Sequence, residues 1–481
     1  MSSEVSGPAV GIGQPAPPPS FMIPVTVACG NFMTGLDQNV VVTALPGIGK
    51  SLGEAPSHLG LVLTAYVMSL IVALPASSWA ADRLGPRRAY CIAVGVFALG
   101  SVLCGFADSF WALIGARALQ GLGGGLMGTL GQVVILQSFP RDRTLKINTY
   151  ITLASQTGPM VGPLVGGALT TYVSWRWIFF INVPIALFAA LSAARLFPKP
   201  AKPTGLPFDL PGFLLIGSGM ILLVLGMDAL GSGDAVGWII ASELAGAAVI
   251  LALAVSYSLR ASFPLIDFRL LSIRTFRIAM LTGGGLDTIG LGSIMFLLPL
   301  LLQIGFGMSA VRAGSLTFLV AFGSISLRAF LPLILNRFGF RRVLVTNTPI
   351  AAALIAGFAL FRADMPLWLM AGYIFVFGSF RTLQWGSTGN LSYSDVPPER
   401  LSRFSALYYV LWQLAVTISI GQASALLSLF AGPGTHAHAS DFRIVFVIEG
   451  LLTLTALLAY RRLTPQDGIN VSGHKLVAPM E

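Results

Sequence analysis

The chain has 481 residues, of which 55% are hydrophobic and 10% are charged, and its formal net charge is +10. Soluble domains carry about 25% charged residues, so this composition excludes an ordinary water-soluble protein and indicates a membrane protein. The three cysteines, Cys29, Cys91 and Cys104, lie within apolar runs, which argues against a disulfide framework.

Residues 1–20 are rich in Pro, Gly and Ser and contain no Lys or Arg. This composition predicts a flexible tail, because a cleavable signal peptide would need a basic start. Fourteen apolar runs follow, each close to the ~20 residues that a helix needs to cross a bilayer. We number them as spans 1 to 14; they lie near 21–46, 58–80, 89–106, 110–138, 147–170, 176–197, 209–229, 237–258, 276–303, 311–335, 343–361, 367–391, 403–430 and 441–460.

The basic residues indicate the orientation of the spans. An even number of spans places both termini on one side, and 21 of the 29 Lys and Arg residues then fall on that side, against 5 on the other. The positive-inside rule makes the basic side cytoplasmic. Basic loops that face anionic lipid headgroups also explain the net charge without a nucleic-acid partner.

Two basic turns, 254 residues apart, share the pattern Asp/Asn-Arg-x-Gly-x-Arg-Arg. A turn repeated at this distance predicts a membrane protein built from two related halves, which is typical of secondary transporters. We interpret the turns as a cytoplasmic gate; the alternative is that their charges only anchor the topology. The residues of the first turn are Asp82, Arg83, Gly85, Arg87 and Arg88, and those of the second are Asn336, Arg337, Gly339, Arg341 and Arg342.

Three further motifs follow in order along the chain. Span 4 contains Leu113-x-x-x-Arg117-x-x-Gln120-Gly121-x-Gly123. Span 5 contains Gly158, Pro159, Gly162, Pro163, Gly166 and Gly167 in one run. Before span 6 the chain reads Trp175-Arg176-Trp177-Ile178-Phe179-Phe180-Ile181-Asn182-Val183-Pro184.

Together with the first turn, these motifs resemble those of the major facilitator superfamily, specifically its fourteen-span drug:proton antiporters. The first turn departs from the family pattern in having Ser78 where a leading glycine is usual. The resemblance covers nearly the whole chain and implies an all-α polytopic membrane protein, with two six-helix bundles related by a pseudo-two-fold axis and a central helix pair.

The resemblance also implies a division of the chain and a function. The expected units are a cytoplasmic tail (1–20), a six-helix bundle (21–197), a two-helix insertion (209–258), a second bundle (276–460) and a cytoplasmic tail (461–481). The expected function is export of a small organic solute across the bacterial inner membrane in exchange for protons. The proton gradient then supplies the energy and no cofactor is needed, while a periplasmic adaptor and an outer-membrane channel are partners that the sequence leaves open.

The glycines of span 5 also have a physical interpretation. Gly158, Gly162 and Gly166 recur every four residues and therefore lie on one helix face. Small residues on such a face let another helix approach closely. We interpret the motif as a bend and sliding surface that favours outward release of solute, with plain tight packing as the simpler alternative.

Charged residues inside the spans predict where the mechanism lies, because such residues are costly in lipid and usually functional. Asp37 lies nine residues before Pro46, and Arg117 lies seven residues after Phe110, so both lie ~10–13 Å below the outer surface at 1.5 Å per residue. The matched depth predicts an ion pair, and protonation of Asp37 would release Arg117.

Span 9 corresponds to span 1 and span 12 to span 4 if the second half repeats the first. Asp287 and Arg381 then form a second predicted charge pair, with a looser match in depth. Further side chains predicted to line a central cavity are Gln120, Gln384, Trp385, Arg328 and Glu449. Three buried acids against three buried arginines leave lipophilic cations, neutral compounds and organic anions all open as substrates.

Other functions are disfavoured by specific features. The span 5 motif disfavours proton-coupled uptake, and the buried charges disfavour a scaffold or sensor without transport. A membrane enzyme would need a nucleophile, a phosphate loop or a metal site, and no Gly-x-x-x-x-Gly-Lys-Ser/Thr run occurs. The pair His436 and His438 is weak evidence for a metal, so we predict no metal site.

Overall fold

The structure is a computed structural model, and it describes residues 20–54, 59–198, 207–232, 237–431 and 438–474. Within these ranges every regular element is a helix. The predicted N-terminal tail up to residue 19, His436 and residues 475–481 lie outside the described residues.

The helices of the first half follow the predicted order, so the span numbers are kept for them. Span 2 is two helices with an angle of 54° between them, and span 6 begins with a separate helical turn. The bounds are Met22–Leu52 for span 1, Gly60–Ala73 and Ala76–Leu84 for span 2, Pro86–Gly105 for span 3, Phe110–Ser138 for span 4, Arg141–Tyr172 for span 5, and Trp177–Phe180 and Asn182–Leu196 for span 6.

The remaining helices also follow the predicted order. Spans 7 and 8 are Leu210–Ser232 and Gly237–Arg260, and span 9 comprises Arg274–Arg277, Ile278–Thr282, Gly284–Leu300 and Leu301–Gly305. Span 10 starts as Ala310–Arg328 and continues into Leu331–Gly357, which turns at Gly339 into span 11. Spans 12, 13 and 14 are Leu367–Leu391, Leu401–Ala431 and Ala439–Tyr460, and the short helices are Phe268–Ser272, Phe358–Leu360, Pro398–Arg400 and Ile469–Ser472.

The described helices are consistent with fourteen passes through a membrane. Nine of them are long and apolar enough to cross a bilayer, or ten if the bent pair of span 2 counts as one. Spans 1, 5, 10 and 12 have spanning length as well, at 31, 32, 19 and 25 residues. These four carry more polar side chains, and all four contribute to the central cavity described below.

The two basic turns have the same backbone structure. Gly85 has φ 77° and ψ 147°, and Gly339 has φ 71° and ψ 165°. Only glycine adopts this conformation without strain, which explains the shared glycine. In both halves the preceding span is also broken shortly before the turn, so the sequence repeat is a structural repeat. We call the end of the bundle that carries Gly85 and Gly339 the turn face, and the opposite end the far face.

The two halves are joined by contacts at the turn face. The Arg141 guanidinium donates to the backbone carbonyls of Ser394 and Val396 in the other half. The Ser402 hydroxyl donates to Asp82 at 2.6 Å. Beside these bonds, one apolar cluster combines side chains of both halves, among them Ile71, Leu145, Leu335, Leu391 and Leu401.

At the far face the apolar clusters are separate. One cluster contains Leu36, Val40 and Phe110 with other side chains of the first half. The other contains Leu297 and Phe358 with side chains of the second half. Spans 7 and 8 lie at the edge of the bundle, where span 7 packs against spans 2 and 13 and span 8 packs against span 7.

Residues 461–474, the described part of the expected C-terminal tail, pack onto the bundle. Leu463 and Val471 are only 2% and 1% exposed and belong to the cluster shared by both halves. The Asn336 amide of the second turn donates to the carbonyls of Ser472 and Gly473 at 3.1 and 3.2 Å. The helix Ile469–Ser472 also contacts span 5, so it links the second turn to the first half.

Spans 1 and 5 approach as closely as the glycine face predicts. A Cβ added at Gly158 would lie 2.4 Å from the Phe32 carbonyl oxygen, and one at Gly162 would lie 2.8 Å from the Asn39 Cβ. In return, Gly35 of span 1 faces Pro159. Tight packing is therefore a property of this face, whereas its sliding remains a prediction.

Replacing Gly158 with alanine should destabilise the protein. The new Cβ meets a backbone carbonyl that cannot rotate away, and overpacking of this kind costs about 1–3 kcal/mol. Thermal unfolding of the purified protein in detergent measures the change. Gly167→Ala is the matched control, because a Cβ there has no neighbour within 4 Å. Equal unfolding temperatures for the two variants would contradict the packing account.

Candidate functional site

An ion pair lies inside the first half. Arg117 Nη1 of span 4 donates to Asp37 Oδ2 of span 1 at 2.6 Å, and both side chains are fully buried, with exposures of 0%. The pair predicted from matched depth is therefore present. Its members are the two residues for which residue counting along spans 1 and 4 predicted the same depth.

Three neutral side chains complete a hydrogen-bond network around the pair. Gln120 receives a bond from Arg117 Nη1 at 2.6 Å and donates through Nε2 to Asp37 Oδ1 at 2.9 Å. The same Nε2 lies 2.7 Å from the Ser101 hydroxyl oxygen. Asn182 donates to Asp37 Oδ1 at 3.1 Å. The carboxylate of Asp37 is thus held by groups from spans 4 and 6, and span 3 supports Gln120.

Aromatic rings cover the guanidinium of Arg117. Its central carbon lies 4.4 Å from the ring centroid of Tyr66 and 5.8 Å from that of Phe179. Arg117 Nε donates to the Val62 carbonyl at 3.2 Å, but Nη2 has no hydrogen-bond partner among the described residues, and neither does the Tyr66 hydroxyl. The attraction within a buried ion pair offsets the free-energy cost of desolvation only when the remaining polar atoms are hydrogen-bonded. Since two polar groups here lack partners in the described part of the chain, a small change in charge can disrupt this network.

The second half contains a carboxylate network without an arginine. Asp287 accepts hydrogen bonds from Gln384 at 2.9 Å and from the Tyr460 hydroxyl. Gln384 in turn donates to Thr348 at 2.9 Å and accepts from Asn347 at 2.8 Å. The predicted pair of Asp287 with Arg381 is therefore wrong. Within the described residues the partners of Asp287 are neutral.

The error has a geometric cause. Arg117 and Gln120 have the same spacing as Arg381 and Gln384, but the two pairs lie at different depths. Gln120 is 10 residues from the first residue of span 4, whereas Gln384 is 17 residues from the first residue of span 12. Seven further residues at 1.5 Å each place the second network about 10 Å nearer the turn face. Arg381 then lies over the Trp385 ring, 4.5 Å from its centroid.

A cavity of about 330 Å³ lies between the two halves. Arg328 and Trp385 line it, as predicted. Gln120, Gln384 and Glu449 do not line this cavity, which corrects the expectation for these three. The two glutamines are occupied by Asp37 and Asp287, as described above. Glu449 is buried against span 13, where Gln422 donates to its Oε1 at 2.5 Å.

Several cavity residues were not predicted from the sequence. They are mainly side-chain amides and tyrosines, such as Gln132, Asn148, Gln156, Tyr408 and Tyr409. Isolated amides and tyrosines in apolar spans give no charge signal, so a prediction based on buried ionisable groups does not include them. Asn182, by contrast, belongs to the motif before span 6, and its polar side chain in an apolar run was a usable signal.

The first turn provides a direct contact between the halves, through Asp82 and Ser402. Arg83 lies over Trp79 at 6.0 Å from the ring centroid, Arg87 is half-buried, and Arg88 is exposed. In the second turn the side chains of Arg337 and Arg341 are exposed. Exposed arginines at a bilayer surface suit lipid phosphates, whereas the hydrogen bond between Asp82 and Ser402 crosses between the halves.

Two related helical halves, buried charges and a central cavity between them define a membrane carrier of the secondary-transporter type. Comparison with known proteins agrees. A family model described as Major Facilitator Superfamily matches residues 27–420. The chain belongs to this superfamily, and it is an integral membrane transporter.

Relatives extend over most of the chain. One, named "Putative multidrug resistance protein MdtD" in Salmonella paratyphi A, is 36% identical over 428 residues, which is 88% of this chain and 90% of the relative.

Solved structures with the same fold include the human organic anion transporter MFSD10, with a TM-score of 0.66 and 16% identity over 92% of this chain and 100% of that one. Another is the proton:xylose symporter XylE, with a TM-score of 0.65 and 14% identity over 94% of this chain and 98% of that one. At these identities the two structures show the fold alone.

The two carboxylates should respond differently to the loss of an arginine. Arg117→Gln leaves Asp37 unpaired and should cost about 3–5 kcal/mol, and adding Asp37→Asn should recover much of that loss. The corresponding changes at Asp287 and Arg381 should simply add, because these residues share no ion pair. Thermal unfolding of seven proteins, namely the wild type, four single variants and two double variants, measures both cycles. Additive effects at Asp37 and Arg117 would contradict the observed geometry.

Proposed function

We propose that this transporter exports a small, lipophilic organic solute in exchange for protons by alternating access. The observation that carries the proposal is the fully buried pair of Asp37 and Arg117, which joins spans 1 and 4 at 2.6 Å. A carboxylate in this position can take up a proton. It is also held by enough partners that its charge state affects the packing of several spans.

The proposed coupling step is a proton transfer to Asp37. Protonation of its carboxylate removes the negative charge that balances Arg117. The amides of Gln120 and Asn182 lose a charged acceptor at the same time, and hydrogen bonds to charged groups are roughly twice as strong as those between neutral groups. The arrangement of spans 1, 4 and 6 is then less favourable, and a second arrangement of the bundle becomes accessible.

The contacts between the halves support alternating access. If the basic turns face the cytoplasm, as the distribution of Lys and Arg predicts, the described conformation is closed on the cytoplasmic side. Arg141 with Ser394 and Asp82 with Ser402 are the hydrogen bonds that such a closure uses. Opening to the cytoplasm would break them and would bring the separate apolar clusters of the far face together.

Two further observations support export. The relatives that match over most of the chain are named for multidrug resistance. Span 5 also packs on span 1, which contains Asp37. Span 5 begins at Arg141, whose side chain makes one of the turn-face contacts. A change at the carboxylate can therefore reach the cytoplasmic closure through two helices in direct contact.

Asp37→Asn should abolish proton-driven export, because the side chain keeps its size but can no longer take up a proton. Cells that express the variant should accumulate fluorescent dyes to the level of cells without the protein. A cationic, a neutral and an anionic dye should be tested separately, since the substrate charge is open at this point. Thermal unfolding of the purified variant checks that it folds.

The matched control for this experiment is Asp364→Asn, the same substitution at an exposed acid of the far face. Export by the control should equal that of the wild type and should stop when a protonophore removes the gradient. Export by Asp37→Asn at the wild-type rate would exclude Asp37 from the coupling mechanism.

Loss of the contact between Asp82 and Ser402 should open the turn face. Ser402→Ala removes the donor, and a hydrogen bond to a carboxylate contributes about 1.5–3 kcal/mol, so the open population should rise about tenfold or more. A reporter cysteine at Asn148, which lines the cavity, should react faster with a thiol reagent added from the cytoplasmic side. Ser402→Thr keeps the hydroxyl donor and serves as control. Equal labelling rates in both variants would leave the first turn with a role in topology only.

A further inference from the structure

The charge on the described lining of the central cavity is positive only. Among the described residues that line it, Arg328 is the single side chain with a full charge, and no carboxylate takes part. The remaining polar lining consists of amides, hydroxyls and aromatic rings. A ligand in this cavity therefore meets a cation and no opposing anion.

Two hydrogen-bond donors of the lining have no partner in the part of the chain that the structure describes. Arg328 Nη2 donates to the Thr152 hydroxyl at 2.9 Å, but Arg328 Nε is buried and unpaired. The indole Nε1 of Trp385 is also buried without a partner. Unpaired buried donors are rare in proteins and need an explanation. Two of them beside one cavity indicate a ligand that brings hydrogen-bond acceptors.

Charges behind the lining reinforce this pattern. The guanidinium carbon of Arg381 lies 4.5 Å from the centroid of the Trp385 ring, so a second cation lies next to the indole. The acid next to the cavity along the chain is Asp287, which follows the lining residue Gly285 and precedes Thr288. Its carboxylate is buried and bound by Gln384 and Tyr460, so it is not directed at a ligand in the cavity.

We propose that the cavity binds an organic anion that carries an aromatic or other apolar body. Its carboxylate or sulfonate accepts hydrogen bonds from Arg328 and Trp385. Its body lies among Tyr408, Tyr409 and Trp412, which line the same cavity. This proposal rests on the proposed function, in that it takes the cavity between the halves as the substrate site, and it selects one of the three substrate classes that the sequence leaves open.

Binding of a matched set of probes tests the proposal without any proton gradient. The probes are 2-naphthalenesulfonate, the neutral 2-naphthylmethanol and the cation (2-naphthylmethyl)trimethylammonium, which share one ring system and differ in charge. Isothermal titration calorimetry on the purified protein in nanodiscs of neutral lipid gives the three dissociation constants. The sulfonate should bind at least about tenfold more tightly than the cation, as a charge-assisted hydrogen bond predicts.

Variants locate the anion in the cavity. Arg328→Gln should weaken binding of the sulfonate by about tenfold or more and leave binding of the neutral alcohol unchanged, whereas Arg328→Lys should keep part of the sulfonate affinity. Trp385→Phe removes the N–H and keeps an aromatic ring, so it should weaken the sulfonate selectively. Arg312→Gln is the matched control, because Arg312 is exposed at the far-face end of the same span.

Three results would overturn the proposal. The first is a cation that binds as tightly as the sulfonate to the wild type, a comparison that does not depend on any variant folding. The second is unchanged sulfonate affinity in folded Arg328→Gln. The third is competition by phosphatidylglycerol added to the nanodiscs, which would assign the site to a lipid headgroup.

The proposal and the proposed function fail in different ways. Sulfonate binding that depends on Arg328 supports the anion site even if no proton gradient drives export. In that case the export mechanism is wrong and the site assignment stands. Proton-driven export of the cation, combined with the absence of sulfonate binding, would overturn the anion site and leave the export mechanism intact.

Discussion

The structure depends on one interaction, the ion pair between Asp37 and Arg117. Within a bilayer neither charge can be solvated by water, so each side chain requires the other. Gln120, Asn182 and Ser101 then align on the pair, and spans 1, 3, 4 and 6 are fixed relative to one another. One guanidinium nitrogen of Arg117 has no hydrogen-bond partner within the described ranges, so charge contributes more to the stability of the network than complete hydrogen bonding does. In the proposed mechanism, a single proton on the carboxylate therefore affects spans 1, 3, 4 and 6 together.

The second half uses the same residue types for a different purpose. Its glutamine, Gln384, still binds a carboxylate of the first span in its half, but its arginine, Arg381, lies over Trp385 beside the cavity. The displacement of this network toward the turn face separates the two roles. In our account, the first half carries the proton and the second half supplies most of the positive charge around the solute. Arg328 connects the two halves, because its guanidinium donates a hydrogen bond to the Thr152 hydroxyl of span 5.

Much of this arrangement could be predicted from the sequence. Depth along a helix follows from residue counting, so the pair of Asp37 and Arg117 was accessible, and the repeated glycines of the two turns specified their backbone. The pair of Asp287 and Arg381 was wrong because internal symmetry was taken to preserve depth. Neutral partners such as Tyr460 were missed because hydrogen bonds among uncharged side chains leave no pattern in a single sequence. The packing of the segment after residue 460 depends on contacts with distant spans, which local composition does not reveal.

The central claim is that Asp37 takes up the transported proton. Infrared difference spectroscopy of the purified protein measures this directly, because a protonated carboxyl group gives a carbonyl stretching band that a carboxylate lacks. Acidification of the wild type should produce such a band, and the band should be reduced in Asp37→Asn and retained in Asp364→Asn. A pH-dependent carbonyl band that is the same in wild type and Asp37→Asn would show that the proton binds elsewhere and would contradict the account.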